Sequence, residues 1–221
     1  MKKLLPFLLL AILATAARAD LTITQKIEQV TPSATPPAMT LTLKIKGQKV
    51  LMDMNPKVGT IMDLKTGDIQ TLMHEKKMVM TMPGSMIKGL REKMETAVGT
   101  KEPSEPPKPT GRKETITGFA CEEYEATVDG TKIKMWLTKD LPAAEKAMLE
   151  LSALSPEADP LRGMMKDQKI SGFPMRTVID MGSGGTTTAT VVALSEAELP
   201  ESEFVVPSDY KPMQMPTLPG Q

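Results

Sequence analysis

In several runs between Leu21 and Met82, apolar residues recur at every second position. Met39, Leu41, Leu43 and Ile45 alternate with Thr40, Thr42 and Lys44, and beyond Gly47 the alternation resumes with Val50, Met52 and Met54. Period two puts such residues on one face of a half-buried strand, and the glycine between the two runs predicts a hairpin. A second hairpin is expected from Gly59–Leu64 into Ile69–His74, turning through Lys65-Thr66-Gly67-Asp68. Lys77–Met82 adds a strand with Met78, Met80 and Met82 on one face, and Leu21, Ile23 and Ile27 predict a first strand that ends at the Pro-rich stretch Thr31–Ala38.

The period then changes. Met86, Ile87, Leu90, Met94 and Ala97 fall on one face of a helix, with Ser85 as its expected N-cap and Gly99 as its end. Four prolines (Pro103, Pro106, Pro107 and Pro109) predict an exposed, poorly ordered connection over 101–113. Strands are expected over Thr115–Val128 and Lys132–Thr138, joined at Asp129-Gly130, a dipeptide suited to a two-residue hairpin turn. Asp140-Leu141-Pro142 opens a helix with the apolar stripe Ala144, Ala147, Met148 and Leu151, and a short helical piece is expected over Asp159–Met165. Phe173–Met181 and Thr186–Leu194 predict two strands around the turn Gly182-Ser183-Gly184-Gly185, and Glu203–Val206 a last short strand. The whole reads as an α+β chain, mainly antiparallel β, of about nine to eleven strands with two helical insertions.

Composition changes this picture at the N-terminus. Lys2 and Lys3 precede the apolar run Leu4–Ala14, and Ala17-Arg18-Ala19 supplies a small-x-small cleavage site. Residues 1–19 are therefore expected to be a cleaved secretory signal, leaving one domain over 20–207, a flexible Pro-rich tail over 208–221 and no transmembrane anchor. The expected location is periplasmic or secreted. Loss of Lys2, Lys3 and Arg18 turns the even balance of 27 basic and 27 acidic residues into a net charge of −3. No basic surface is then expected for nucleic acid.

Candidate chemistry is narrow. The mature chain keeps all but one of the 19 methionines, but its only aromatic residues are Phe119, Phe173, Phe204, Trp136, Tyr124 and Tyr210. That is too few and too scattered for a stacking platform. His74 and Cys121 are single, which excludes an intramolecular disulfide and a His/Cys zinc cage within one chain. His74 reads as a strand-end or surface residue and Cys121 as a small buried one, with an intermolecular disulfide or a reactive thiol as the alternatives for Cys121. No Gly-x-Ser-x-Gly elbow is present, a serine or cysteine nucleophile would have only His74 as base, and the glycine-rich turn at 182–185 lacks the lysine of a phosphate loop. The expectation is a protein that is not an enzyme and needs no cofactor. Three readings of the strand-face methionines stay open: core filler, a deformable wall around an apolar guest, and a thioether site for Cu(I) or Ag(I). The wall would comprise Met52, Met54, Met78, Met80, Met82 and Trp136. The metal alternative would use Met78, Met80, Met82 and His74, with Met213-Gln214-Met215 as a separate tail motif.

Several blocks resemble a family of exported bacterial proteins. They are Gly118-Phe119-Ala120-Cys121-Glu122-Glu123-Tyr124, Met135-Trp136-Leu137-Thr138-Lys139-Asp140-Leu141, Phe204-Val205-Val206-Pro207-Ser208-Asp209-Tyr210-Lys211, and Lys46-Gly47-Gln48-Lys49 leading to Met52-Asp53-Met54. The chain is similar in these blocks to domain of unknown function family 4412, whose strand order resembles that of the LolA/LolB-like lipoprotein carriers. The resemblance implies an incomplete antiparallel β-barrel with helices covering its concave face. It also implies binding of an apolar small molecule or lipid, such as an acyl chain. A structural or partner-binding envelope module is the remaining alternative.

Overall fold

The computed structural model describes residues 20–89, 105–128, 130–152 and 170–213. The alternating N-terminal runs form β1 (Leu21–Val30), β2 (Met39–Lys46), β3 (Lys49–Asn55), β4 (Val58–Asp63), β5 (Ile69–Met73) and β6 (Met78–Met82). Helix α1 begins over residues 84–89. Next come β7 (Glu105–Ile116), β8 (Phe119–Val128), β9 (Thr131–Thr138), α2 (Pro142–Ser152), β10 (Phe173–Asp180), β11 (Thr186–Ser195) and β12 (Lys211–Pro212). All the strands join one sheet in the order β12-β6-β5-β4-β3-β2-β1-β11-β10-β9-β8-β7. Every pair is antiparallel except β12 on β6. No helix among the described residues is long and apolar enough to cross a membrane.

The central pairing β1·β11 joins the two halves of the chain over nearly the whole length of both strands. The sheet is curled beyond it. Thr117, in the β7–β8 turn, donates from Oγ1 to the carbonyl of Val191 on β11 at 2.7 Å, although β9 and β10 lie between β8 and β11. A flat sheet would put β8 and β11 about 14 Å apart, at roughly 4.8 Å per strand. The same turn holds Thr117 and Gly118 at φ +52° and +86°. Positive φ at both central residues gives the twist a two-residue hairpin needs, and the Val191 bond helps hold the unfavourable threonine.

The main core lies at one end of the strands, under α2. Leu141 and Ala144 pack there with Leu21, Ile23, Ile45, Val50, Ile116, Phe173, Met175 and Val191, and Ala147, Met148 and Leu151 complete the helix contact. The predicted stripe of α2 is thus the face it buries.

Several expectations need correction. From Glu105 on, the Pro-rich connection is strand β7. Among the described strands β7 is the last of the sheet, and its pairing with β8 shifts register between Glu105 and Lys108 and between Pro109 and Lys113, so prolines lacking N–H groups are accommodated at an edge strand with bulges. The strand expected over Thr115–Val128 is broken by the Thr117-Gly118 turn. Ser85 is not the cap of α1: Ile87 N–H already bonds Pro83 O at 3.1 Å, and the Gly84 N–H is met by Asp68 Oδ1 at 2.8 Å. The segment around Glu203 is a 3-10 turn, Glu201–Phe204, rather than a strand. Residues 208–213, expected to be flexible tail, instead pack a half-buried Tyr210 against the core and pair β12 with β6. The rest of the predicted α1, the helical piece Asp159–Met165 and the tail beyond Met213 lie outside the described residues.

Candidate functional site

Register defines one face of β2–β6 row by row. Ile45, Val50, Met62, Ile69 and Met82 are successive cross-strand partners nearest the α2 end. Leu43, Met52, Thr60, Thr71 and Met80 form the next row. Val58, Met73 and Met78 form the third, joined by Leu41 and Met54 through the alternation of β2 and β3. Apart from Thr60 and Thr71, this face is apolar.

Burial falls along it on β2 and β3. On β3, Val50 is fully buried, Met52 half-buried and Met54 56% exposed. On β2, Ile45 is buried, Leu43 and Leu41 are half-buried and Met39 is 59% exposed. Met62, Met73, Met78, Met80 and Met82 are all half-buried. On β2 and β3 the α2 end is closed and the other end leaves Met39 and Met54 exposed, while on β4–β6 the rows are alike in burial.

The opposite face of the same strands is covered. Leu51, Ile61, Leu72 and Val79 pack under Leu199 and Phe204, with Val206 and Tyr210 beside them. The covering segment is tied down repeatedly. Lys44 pairs with Glu203, Lys77 with Asp209 at 2.8 Å, and Asp20 accepts both the Leu199 N–H at 2.7 Å and Lys46 Nζ at 2.9 Å. His74 Nδ1 and Tyr210 Oη share a 2.6 Å hydrogen bond. A groove of about 660 Å³ runs along this side, lined in part by Lys44, Asp53, His74 and Glu203. Gly59 lies beneath Asp53 and His74: a Cβ there would sit 2.8 Å from Asp53 Oδ1 and 3.0 Å from His74 Nε2. Glycine is what lets both polar groups approach the β4 backbone.

Met52, Met54, Met78, Met80 and Met82 do share a face. Register adds Met62 and Met73, which alternation within single strands did not join to them. Trp136 is outside these strands but packs against the same core cluster as Leu43 and Met62, the one that holds Ile45 and Val50. It stands on β9, with β2, β1, β11 and β10 between it and β3, and the Arg176 guanidinium lies 5.2 Å from its ring centroid. Of the residues of the metal alternative, His74 turns to the Gly59 side of the sheet while Met78, Met80 and Met82 face the other. Cys121 is only 3% exposed, and β4, β3, β2, β1, β11, β10 and β9 separate its strand from β5, next to His74. Burial pushes its thiol above the ordinary range. Asp53, Gly59 and Tyr210 were missed, since only tertiary folding brings them to His74.

The family model described as Domain of unknown function (DUF4412) matches residues 24–210. The chain belongs to the DUF4412 family. No curated protein matches it. Among solved structures, it is similar to MucB in complex with MucA, at 10% identity and TM-score 0.45, covering 90% of this chain and 59% of that one. It is also similar to PNGF-II, at 12% identity and TM-score 0.43, covering 88% of this chain and 31% of that one. A LolA superfamily protein from Nitrosomonas europaea is similar at 12% identity and TM-score 0.35, with 85% of this chain and 90% of that one covered. The DUF4412 chain thus spans about a third of PNGF-II and about three-fifths of MucB.

Proposed function

We propose that this DUF4412 protein is a non-catalytic exported protein, periplasmic or secreted, that holds an apolar ligand against the methionine face of β2–β6. The ligand class is an acyl chain or lipid-like molecule. In this reading the curled sheet is a LolA/LolB-like incomplete barrel with helices over its concave face.

The observation that carries the reading is the fall in burial along one continuous apolar face, from Val50 to Met54 on β3 and from Ile45 to Met39 on β2. A face meant only as core would be closed along its length, and one meant only for water would be polar. Unbranched thioether side chains repack around guests of different shape, which suits a surface with no charge to fix ligand orientation. Burial of a chain of methylenes there supplies about 0.8 kcal/mol per CH₂.

The test is native mass spectrometry of protein purified gently from its own cell envelope, with a fluorescent fatty-acid titration of the delipidated chain. Co-purified lipid, and probe binding weakened by Met54→Glu, are the expected results. Absence of both co-purified apolar compound and probe binding overturns the proposal.

A further inference from the structure

We propose that Met73, Met78 and Met80 form a three-thioether site for a soft monovalent cation, Cu(I) or Ag(I). The site is at the β5–β6 edge of the methionine face and does not require the apolar-ligand reading to hold. Register carries the argument. Met73 and Met78 are direct cross-strand partners, which sets their Cβ atoms about 5 Å apart. Met80 is two residues further along β6 on the same face, about 7 Å from Met78. Three flexible thioether arms rooted on a triangle of that size can converge on one ion. The 3-10 turn His74–Lys76 that closes the β5–β6 hairpin holds the first two roots in place.

Donor chemistry sets the ion. Neutral, polarisable thioethers select soft monovalent cations over Zn²⁺, Mg²⁺ or Ca²⁺, which need anionic or imidazole donors. Among the described residues no three His, Cys, Asp or Glu side chains come together to hold a metal ion, so harder ions find no comparable cluster there. All three methionines are half-buried, reachable from solvent yet partly shielded from it. Thr71, opposite Met80, puts a neutral hydroxyl beside them. Lys211, next to Met78 in the sheet, is exposed, and its charge is screened by solvent.

Thioethers do not protonate, so the site's affinity is flat with pH, unlike that of any histidine, thiolate or carboxylate site. The experiment is Cu(I) competition against a chromophoric chelator, using the full chain at about pH 5 and about pH 7.5, on either side of imidazole titration. Met73→Leu/Met78→Leu/Met80→Leu preserves volume and apolarity, and Met52→Leu/Met62→Leu is the control, with far-UV circular dichroism confirming that both fold. One Cu(I) per chain is expected, with equal affinity at the two pH values. The triple variant should lose at least about tenfold in affinity, in line with removal of all the donors, while the control binds as wild type does. Absence of competition by the wild type, an unchanged triple variant, or affinity that collapses in acid would overturn the site. Fatty-acid probe binding by the triple variant keeps the readings separate: leucines retain an apolar surface, so loss of metal alone leaves the ligand proposal standing.

Discussion

Truncating Val50 and Met54, two residues on one face of one strand, should have opposite consequences for stability and binding. Val50 is fully buried beneath α2, whereas Met54 is 56% exposed at the outer end of the face. Val50→Ala deletes two buried carbons at about 0.8 kcal/mol each. Adding the cost of the space left behind brings the loss to about 2–3 kcal/mol. Met54→Ala removes more atoms but little buried surface, and should stay within about 0.5 kcal/mol of wild type. Urea unfolding at neutral pH measures both through the shift in midpoint at constant slope. A fluorescent fatty-acid titration of the same proteins should show the reverse order, with Met54→Ala weakening the probe and Val50→Ala leaving it near wild type. A loss of stability in Met54→Ala as large as that in Val50→Ala would refute the reasoning, because the outer end of the face would then be closed core.

Three other outcomes follow from specific contacts. Burial raises the Asp20 carboxyl, but the Leu199 N–H and Lys46 more than offset this and hold it below its ordinary 3.8. Its stabilisation is therefore full above that value and fades as pH falls through the lowered folded pKa. Asp20→Ala should cost about 1–3 kcal/mol at neutral pH, with the gap closing in acid, and a pH-independent gap in urea midpoints would contradict it. Gly84→Ala places a Cβ 2.0 Å from the Thr66 carbonyl oxygen. It should lower the melting temperature by the equivalent of about 2 kcal/mol or more, whereas Gly89→Ala, with nothing within 4 Å, should not. Cys121, buried and with its thiol pushed up by that burial, should react with a thiol reagent only on unfolding; rapid stoichiometric labelling of the native chain would contradict its placement.

The strands of the N-terminal half were legible because one face is apolar and alternation has a period of two. Methionines at 52, 54, 78, 80 and 82 could be assigned to faces within their own strands. That those faces coincide depends on the register of β3 through β6, which also admits Met62 and Met73. The Pro-rich run 105–113 misled because proline argues against a strand only where a ladder bond is needed, and β7 is an edge strand among those described, with its register broken around the prolines. Thr117-Gly118 carries a weak turn signal, since threonine at positive φ needs the tertiary bond to Val191. β12 has only two residues, and it is the exposed edge of β6 that makes it a strand. His74 and Tyr210 meet across 136 positions of sequence, beyond the reach of any local pattern.

The two faces of β2–β6 give the open methionine surface its meaning. On one face the chain lays its C-terminal segment over Leu51, Ile61, Leu72 and Val79, at an ordering cost of about 1–2 kcal/mol per residue. It clamps that cover through Asp20, Lys44, His74 and Lys77. On the other face Met54 and Met39 remain largely exposed and Met73, Met78 and Met80 only half-buried. Both faces belong to the same strands, so the difference does not come from sheet geometry. A sequence selected only for stability would place polar residues on the uncovered ends of the strands, as Thr60 and Thr71 do nearer the middle. Keeping thioethers at the rim leaves apolar area exposed, and it is this exposure that the proposed apolar ligand would bury.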